Sequence, residues 1–118
     1  MKYFLVLFLT ACSNLHYDPV EYNNLINIKE TINEISCDTG NVSNKVKHLK
    51  SLTDHQYLYV SGRSNRDEVY QSIKLVKGLV DDMYLQYSSQ HPTVTYCDNK
   101  VKLIDTNINI IIKGIGEL

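Results

Sequence analysis

The length and charge of the chain indicate one small domain with no excess of basic residues that would bind polyanions. It has 118 residues, of which 12 are Lys or Arg and 13 are Asp or Glu, giving a formal net charge of −1. This length suits a single domain with its own core. Because the charges nearly balance and form no basic tract, nucleic acid is not an expected partner.

The amino-terminal segment is apolar and ends at a cysteine. Lys2 supplies one positive charge, and residues 4–9 (Phe-Leu-Val-Leu-Phe-Leu) form an apolar run that is too short to span a bilayer. The sequence Leu9-Thr10-Ala11-Cys12 follows, with an aliphatic residue, two small residues and a cysteine. This sequence resembles the lipobox of bacterial lipoproteins at all four positions.

The lipobox resemblance implies a cleaved signal peptide over residues 1–11, acylation of Cys12 with chains such as palmitate, and a short tether over residues 12–17. Ser13 follows the cysteine, where Asp tends to retain lipoproteins in the inner membrane, so the outer membrane facing the periplasm is favoured. The signal is shorter than the usual roughly 15 to 30 residues. The alternative is that residues 3–11 form a buried element and that Cys12 is an ordinary thiol.

The first predicted helix begins at Asp18-Pro19, because Asp can cap a helix and Pro suits its first position. It ends at Cys37 and the turn Asp38-Thr39-Gly40. Between these limits, apolar residues recur at steps of three and four: Tyr22, Leu25, Ile28, Ile32 and Ile35.

The second predicted helix covers residues 42–60 and has a less regular apolar stripe, made of Val42, Val46, Leu49, Leu52 and Leu58. Its end has a second interpretation. Residues 56–60 (Gln-Tyr-Leu-Tyr-Val) alternate Tyr with aliphatic residues, which also suits a strand. The segment Ser61-Gly62-Arg63-Ser64 then breaks the chain.

The last two predicted helices have regular apolar stripes at alternating steps of four and three. Asn65 and Glu68 have capping-box spacing at the start of the third helix, which ends near Ser88. Residues 89–92 connect it to the fourth. The two stripes are Val69, Ile73, Val76, Val80, Met83 and Tyr87 in the third helix, and Cys97, Val101, Ile104, Ile108, Ile111 and Ile115 in the fourth.

These four segments predict an all-α, up-and-down four-helix bundle over residues 18–118. The three cysteines are an odd number, which needs an explanation in an exported protein. Acylation of Cys12 supplies one and leaves Cys37 and Cys97, which this topology places at the same end of the bundle. We therefore predict a Cys37–Cys97 disulfide. The alternative is two reduced, buried thiols.

No pattern of residues in the sequence predicts a reactive site. The histidines are dispersed and none forms a ligand pair on one helical face: His16, His48, His55 and His91. Asp81 and Asp82 are adjacent and so point about 100° apart on a helix, which favours a solvated face over a carboxylate dyad. We predict a protein that is not an enzyme, with no cofactor, metal site or small-molecule substrate.

Two surface features have alternative interpretations. The second helix is locally basic at Lys45, Lys47, His48, Lys50 and His55, which suits either contact with phospholipid head groups or an acidic partner, or an ordinary solvated face. Three tyrosines, Tyr57, Tyr59 and Tyr70, suit either a binding patch or packing, because Tyr is enriched at interfaces.

The carboxy-terminal pattern of Tyr96-Cys97, Lys100, Ile104, Ile111 and Gly114, together with Cys37, resembles small lipoproteins of tailed bacteriophages. The resemblance covers only the end of the chain and one cysteine, and it implies no site residues. It implies two roles: a superinfection-exclusion lipoprotein that occupies a receptor from the periplasmic side, or a spanin-type outer-membrane subunit that disrupts the envelope at lysis. Spanin subunits are often shorter and richer in Pro. We therefore expect a non-catalytic, lipid-anchored helical module that binds another envelope protein.

Overall fold

The computed structural model describes residues 17–63 and 66–116, which form four α-helices. Each helix packs against the helices before and after it, and the first packs against the last, which closes an up-and-down bundle. The predicted all-α fold is confirmed. Residues 1–16, with the predicted signal peptide, Cys12, Ser13 and His16, lie outside the described residues. The helices are α1 (Pro19–Asn33), α2 (Val42–Ser61), α3 (Asp67–Ser89) and α4 (Val94–Gly116).

The start of α1 is capped as its sequence predicts. Asp18 accepts hydrogen bonds through Oδ1 from the backbone amides of Val20 (3.0 Å) and Glu21 (3.3 Å), and Pro19 occupies the first helical position. These bonds satisfy amides that have no partner within the helix. The predicted cap at Asn65 lies outside the described residues.

The loop after α1 is closed by one side chain. The helix ends at Asn33, so Ile35 lies in the loop rather than in the helix as predicted. Asn41 accepts a hydrogen bond from the Ser36 amide (3.3 Å) and donates one to the Glu34 carbonyl (3.2 Å). This pair of bonds holds the two ends of the loop together and sets the reversal into α2.

The core runs along the bundle axis and contains the predicted stripes of α3 and α4, with Tyr87 and Val101 half-buried at its edge. Burying these side chains contributes about 1.5 to 3 kcal/mol each toward folding before the entropy cost. Apolar residues with no exposed surface come from all four helices: Leu25, Ile28, Val46, Leu49, Ile73, Val76, Val80, Met83, Cys97, Ile104 and Ile108.

The stripe of α2 differs from the prediction in its second half. Residues 56–60 are helical, so the strand alternative is wrong. Leu58 is 70% exposed, whereas Thr53 and Gln56 are fully buried and Val60 is nearly so. The buried face continues the spacing of Val46 and Leu49, and two of its positions carry polar residues. The prediction was wrong here because Leu58, although apolar, lies on the exposed side of α2.

The disulfide between Cys37 and Cys97 is present, with Cα atoms 5.7 Å apart. It joins the loop after α1 to the first turn of α4, as the topology predicts, and the alternative of two reduced thiols is wrong. We call this part of the bundle the disulfide end. The opposite part, where Asp18 begins α1 and Gly116 of α4 lies beside Tyr22, is the Asp18 end. None of the described helices is long and apolar enough to cross a bilayer.

Candidate functional site

Asp18 joins the start of α1 to the end of α2. Besides capping α1, its carboxylate accepts a hydrogen bond from the Tyr59 hydroxyl (2.7 Å) and lies 3.1 Å from Nη1 of Arg63. Burial raises the pKa of Asp18, but the bonds from Tyr59 and the two amides, with the Arg63 charge, outweigh burial and hold that pKa below its ordinary value. The point where the chain enters the bundle is therefore fixed by three side chains.

A buried ion pair lies one turn further into the bundle. Glu21 has no exposed surface and Arg66 only 3%, and Nη2 of Arg66 lies 3.5 Å from Oε1 of Glu21. Neither Glu21 oxygen accepts a hydrogen bond from a described residue. Burial raises the pKa of Glu21, and the Arg66 charge only partly opposes this rise. The pair connects α1 to the residue that precedes α3.

A second buried polar contact lies on the same face of α1. Asn24 donates a hydrogen bond to Oε1 of the fully buried Gln56 at 3.0 Å. The two contacts join α1 to both α2 and the start of α3. Because a shift by one helical turn would leave these buried polar groups unpaired, they favour one alignment of the helices. The sequence prediction missed them because it assigned the core to apolar residues alone.

The predicted basic face of α2 is largely neutralised within the bundle. Lys50 on α2 bonds to Asp54 (3.1 Å) and to Asp81 on α3 (3.0 Å), and Lys77 on α3 contacts both carboxylates, at 3.2 Å and 2.6 Å. The hydrogen bonds to Asp81 and Asp54 raise the pKa of Lys50. Lys45 pairs with Glu34 at 2.5 Å. Two of the three lysines of this basic face, Lys45 and Lys50, are therefore paired with carboxylates within the bundle.

The three tyrosines considered for a binding patch are half-buried and bonded to their neighbours. The hydroxyls of Tyr57 and Tyr70 lie 2.9 Å apart and join α2 to α3, while Tyr59 binds Asp18. The hydrogen bond to Asp18 raises the pKa of Tyr59. The structure therefore favours the packing interpretation of these residues.

The other titratable side chains singled out in the sequence lie apart. His48 and His55 are exposed on α2, and His91 is exposed in the loop between α3 and α4. Asp81 binds the lysines of α2 and α3, whereas Asp82 binds Lys100 of α4 at 2.6 Å, so the two carboxylates point to different helices. Within residues 17–63 and 66–116, no three potential metal ligands come together.

An apolar surface remains exposed along the seam between α3 and α4. Leu75 is 56% exposed, Leu103 47% and Ile110 65%, while Leu79 is half-buried. Near the Asp18 end, Ile110 borders a groove of about 240 Å³ that Glu68 also lines. We call this surface the seam face: Glu68, Leu75, Leu79, Asp82, Leu103 and Ile110. Sequence reasoning missed it, although Leu103 and Ile110 lie one heptad apart outside the predicted stripe of α4.

The chain matches no known protein-family model, and no match was found among curated proteins or solved structures.

Proposed function

We propose that this chain is a non-catalytic envelope lipoprotein, anchored through Cys12, whose helical bundle faces the periplasm and binds another envelope protein. The observation that carries the proposal is the Cys37–Cys97 disulfide. Disulfides persist in oxidising compartments such as the bacterial periplasm and are rare in the cytosol. Together with the lipobox, which assigns the remaining cysteine to acylation, the disulfide supports export of the whole chain.

The start of the bundle also suits a tethered domain. Asp18 lies six residues after Cys12, and it is bonded to the first turn of α1, to Tyr59 and to Arg63. An extended segment of this length spans at most about 20 Å. A lipid on Cys12 would therefore hold the Asp18 end close to the membrane, and the disulfide end would point away from it.

The exposed seam face supports a role in binding. Clusters of exposed apolar residues with a polar rim are typical of interaction sites, and Leu75, Leu103 and Ile110 are about half-exposed or more. Within this proposal, the resemblance to phage lipoproteins favours a superinfection-exclusion role, in which the bound envelope protein is a receptor. That receptor would present an apolar surface that is accessible from the periplasm.

The first experiment measures the intact mass of the membrane-extracted protein beside a Cys12→Ala variant. We expect a mass equal to that of residues 12–118 plus the acyl groups, less two hydrogens for the disulfide. The variant should carry no acyl group and should leave the membrane fraction. A full-length, unacylated wild-type chain would contradict the anchor and the localisation together.

The second experiment tests the partner. A photo-crosslinking residue is placed at Leu103 on the seam face and, as a matched control, at Leu58, which is exposed on α2. We expect an adduct with one envelope protein from position 103, absent from position 58 and lost in the Cys12→Ala background. Equal adducts from both positions, or none above the Cys12→Ala background, would contradict specific binding by this face.

A further inference from the structure

The Asp18 end exposes apolar side chains where α1 begins and α2 ends. Tyr17 is 47% exposed and Val20, in the first turn of α1, is 52% exposed. Leu58 is 70% exposed and lies in the last turn of α2. Because each helical residue advances about 1.5 Å, Val20 and Leu58 lie within about 5 Å of the ends of their helices. Together with the exposed Arg63, we call these residues the α1–α2 edge.

The contacts between α1 and α2 place this edge on one side of the bundle. Asn24 lies one turn after Val20, so it shares the same side of α1, and it donates its hydrogen bond to Gln56 on α2. Leu58 follows the buried Gln56 by two residues, about 200° around the helix, and therefore points away from the core. Since the helices pack in a ring, this side lies opposite the seam between α3 and α4.

The two halves of the Asp18 end differ in charge. At the start of α1 the carboxylates are Asp18 and Glu21, which are both buried, and the last two turns of α2 contain none. Arg63, which follows α2, has a side chain that is 42% exposed. The start of α3 and the end of α4 expose two carboxylates and one cation: Asp67, Glu68 and Lys113. A surface that carries phosphate groups would therefore be attracted to the α1–α2 half and repelled by the start of α3.

We propose that the α1–α2 edge lies on the phospholipid bilayer, with Tyr17, Val20 and Leu58 among the lipid head groups and Arg63 bound to lipid phosphate. This inference rests on the proposed function, because the lipid on Cys12 brings the edge to the bilayer. It deepens that function by naming the surface of the bundle that contacts the membrane, and therefore the orientation of the bundle.

The length of the tether favours contact through this end. Cys12 precedes Tyr17 by five residues, and an extended segment of this length spans at most about 18 Å. An acylated Cys12 would therefore keep Tyr17 within this distance of the bilayer. Leu85, near the disulfide end, lies about 27 Å along α3 from the start of that helix. The edge is thus the apolar surface that the anchor holds nearest to the lipid.

The side chains of the edge suit a membrane interface. Tyrosine is enriched there, because its ring is apolar and its hydroxyl is polar. The Arg63 guanidinium lies over the Tyr59 ring at 5.2 Å, and its Nη1 bonds to the Tyr59 hydroxyl and lies beside Asp18. A guanidinium has five N–H groups, so the remaining ones can donate to the oxygens of a lipid phosphate.

This orientation also determines which surface faces the periplasm. With the α1–α2 edge on the bilayer, the seam face turns away from the membrane, because α3 and α4 lie on the opposite side of the bundle. The envelope protein that we propose as its partner could then reach the seam face without competing with lipid.

A single introduced indole tests the contact, because the chain contains no Trp. Leu58→Trp is compared with Leu85→Trp at the disulfide end and Ile110→Trp beside the seam, where the native side chains are 70%, 65% and 65% exposed. The full acylated chain is placed in vesicles of phosphatidylethanolamine and phosphatidylglycerol whose brominated acyl chains quench a nearby indole. We expect the fluorescence of Leu58→Trp to fall by about half or more, and that of the other two variants to stay unchanged.

A charge placed in the edge tests its apolar contact with the lipid. In the Leu58→Trp background, Val20→Asp should remove about half or more of the quenching, because a carboxylate resists burial among lipid. Val94→Asp is the matched control: Val94 also lies in the first turn of its helix, at the disulfide end, and is 50% exposed. It should leave the quenching unchanged. Aspartate suits the first turn of a helix, so both variants should fold, which circular dichroism checks.

Three outcomes would overturn the proposal. Equal quenching of Leu58→Trp and Leu85→Trp would show that the Asp18 end has no preferred contact with lipid. Equal quenching of Leu58→Trp and Ile110→Trp would show that the α1–α2 side is not the one in contact. Equal effects of Val20→Asp and Val94→Asp would show that the apolar residues of the edge do not hold it on the bilayer.

Chemical attachment of a lipid separates this inference from acylation in the cell. In an unacylated chain, Cys12 is the free thiol, because Cys37 and Cys97 form the disulfide. A phospholipid that carries a maleimide couples to this thiol, and the same contrast between Leu58→Trp and Leu85→Trp is expected. That result would support the edge contact although the proposed anchor fails. An acylated chain without this contrast would overturn the edge contact and leave the anchor standing.

Discussion

The two ends of the bundle join their helices by different chemistry. At the Asp18 end, α1 is bound to its neighbours by carboxylates, through Asp18 with Tyr59 and Glu21 with Arg66. At the disulfide end, the loop after α1 is joined to α4 by the covalent bond between Cys37 and Cys97. The carboxylate contacts and the disulfide both connect segments that are distant in sequence.

This difference means that the ends should respond to different conditions. The contacts at the Asp18 end depend on protonation, because burial and hydrogen bonding shift the pKa of Glu21 and Asp18 in opposite directions. The disulfide end depends on redox state, because its two segments are joined by the Cys37–Cys97 bond. The predictions below separate the two, from the largest expected effect to the smallest.

Replacing both Cys37 and Cys97 with Ser should lower the free energy of unfolding by about 4 kcal/mol, because the bond closes a loop with a sequence separation of 60. Urea unfolding of the wild type with and without reductant measures the same quantity. The Cys12→Ala variant should retain wild-type stability. Equal stability of the reduced and oxidised chains would show that the disulfide end is held by packing alone.

Arg66→Met should lower the free energy of unfolding by about 3 kcal/mol at pH 7, since it leaves the Glu21 carboxylate buried without its partner charge. The folded-state pKa of Glu21 is raised above its ordinary value of 4.5, and the cost grows as the pH rises through that folded-state pKa, because only there does Glu21 of the wild type become the charged partner of Arg66. Denaturant unfolding curves recorded from pH 4 to pH 8 measure how this cost changes with pH. The double variant Glu21→Leu/Arg66→Met removes both charges and should recover most of the loss.

Asp18→Ala should lower the free energy of unfolding by about 2 kcal/mol, because α1 loses its cap and Tyr59 and Arg63 lose a shared acceptor. The folded-state pKa of Asp18 lies below its ordinary value of 3.8, so this contribution is complete above 3.8 and disappears as the pH falls through the folded-state value. Asp98→Ala, an exposed change on α4, is the control. A similar cost at Asp98 would indicate a general charge effect.

Tyr59→Phe should have the smallest effect, a loss of about 1 kcal/mol, because it removes a half-buried hydroxyl that donates to Asp18 and accepts from Arg63. It should also raise the pKa of Asp18, because the bond from the Tyr59 hydroxyl favours the charged carboxylate. Nuclear magnetic resonance titration of the Asp18 carboxyl carbon measures this change. Tyr70→Phe, which removes a bond between α2 and α3, should leave the Asp18 titration unmoved.

The fold followed from the sequence wherever apolar residues filled every core position. The stripes of α3 and α4 predicted both helices, and the positions of Cys37 and Cys97 in that topology predicted the disulfide. The helix cap at Asp18 followed from local chemistry, because a carboxylate before Pro19 has few other roles.

The prediction failed where a core position carries a polar residue. Gln56 and Thr53 continue the helical spacing of α2, but the exposed Leu58 suggested a different stripe. Glu21 was missed for the same reason. Its partner Arg66 is distant in sequence, and a single sequence contains no signal that two separated residues of opposite charge will meet in the core. The seam face was overlooked because exposed apolar residues are common on any surface.

The disulfide also determines how the molecule would carry mechanical load. Tension applied between Tyr17 and a point on α4 beyond Cys97 passes along α1, crosses from Cys37 to Cys97, and continues along α4. All residues between the two cysteines, including α2 and α3, lie outside this covalent path. A pull between the amino-terminal tether and α4 would therefore stretch two helices and leave the Lys50 and Lys77 ion-pair network between α2 and α3 without direct tension.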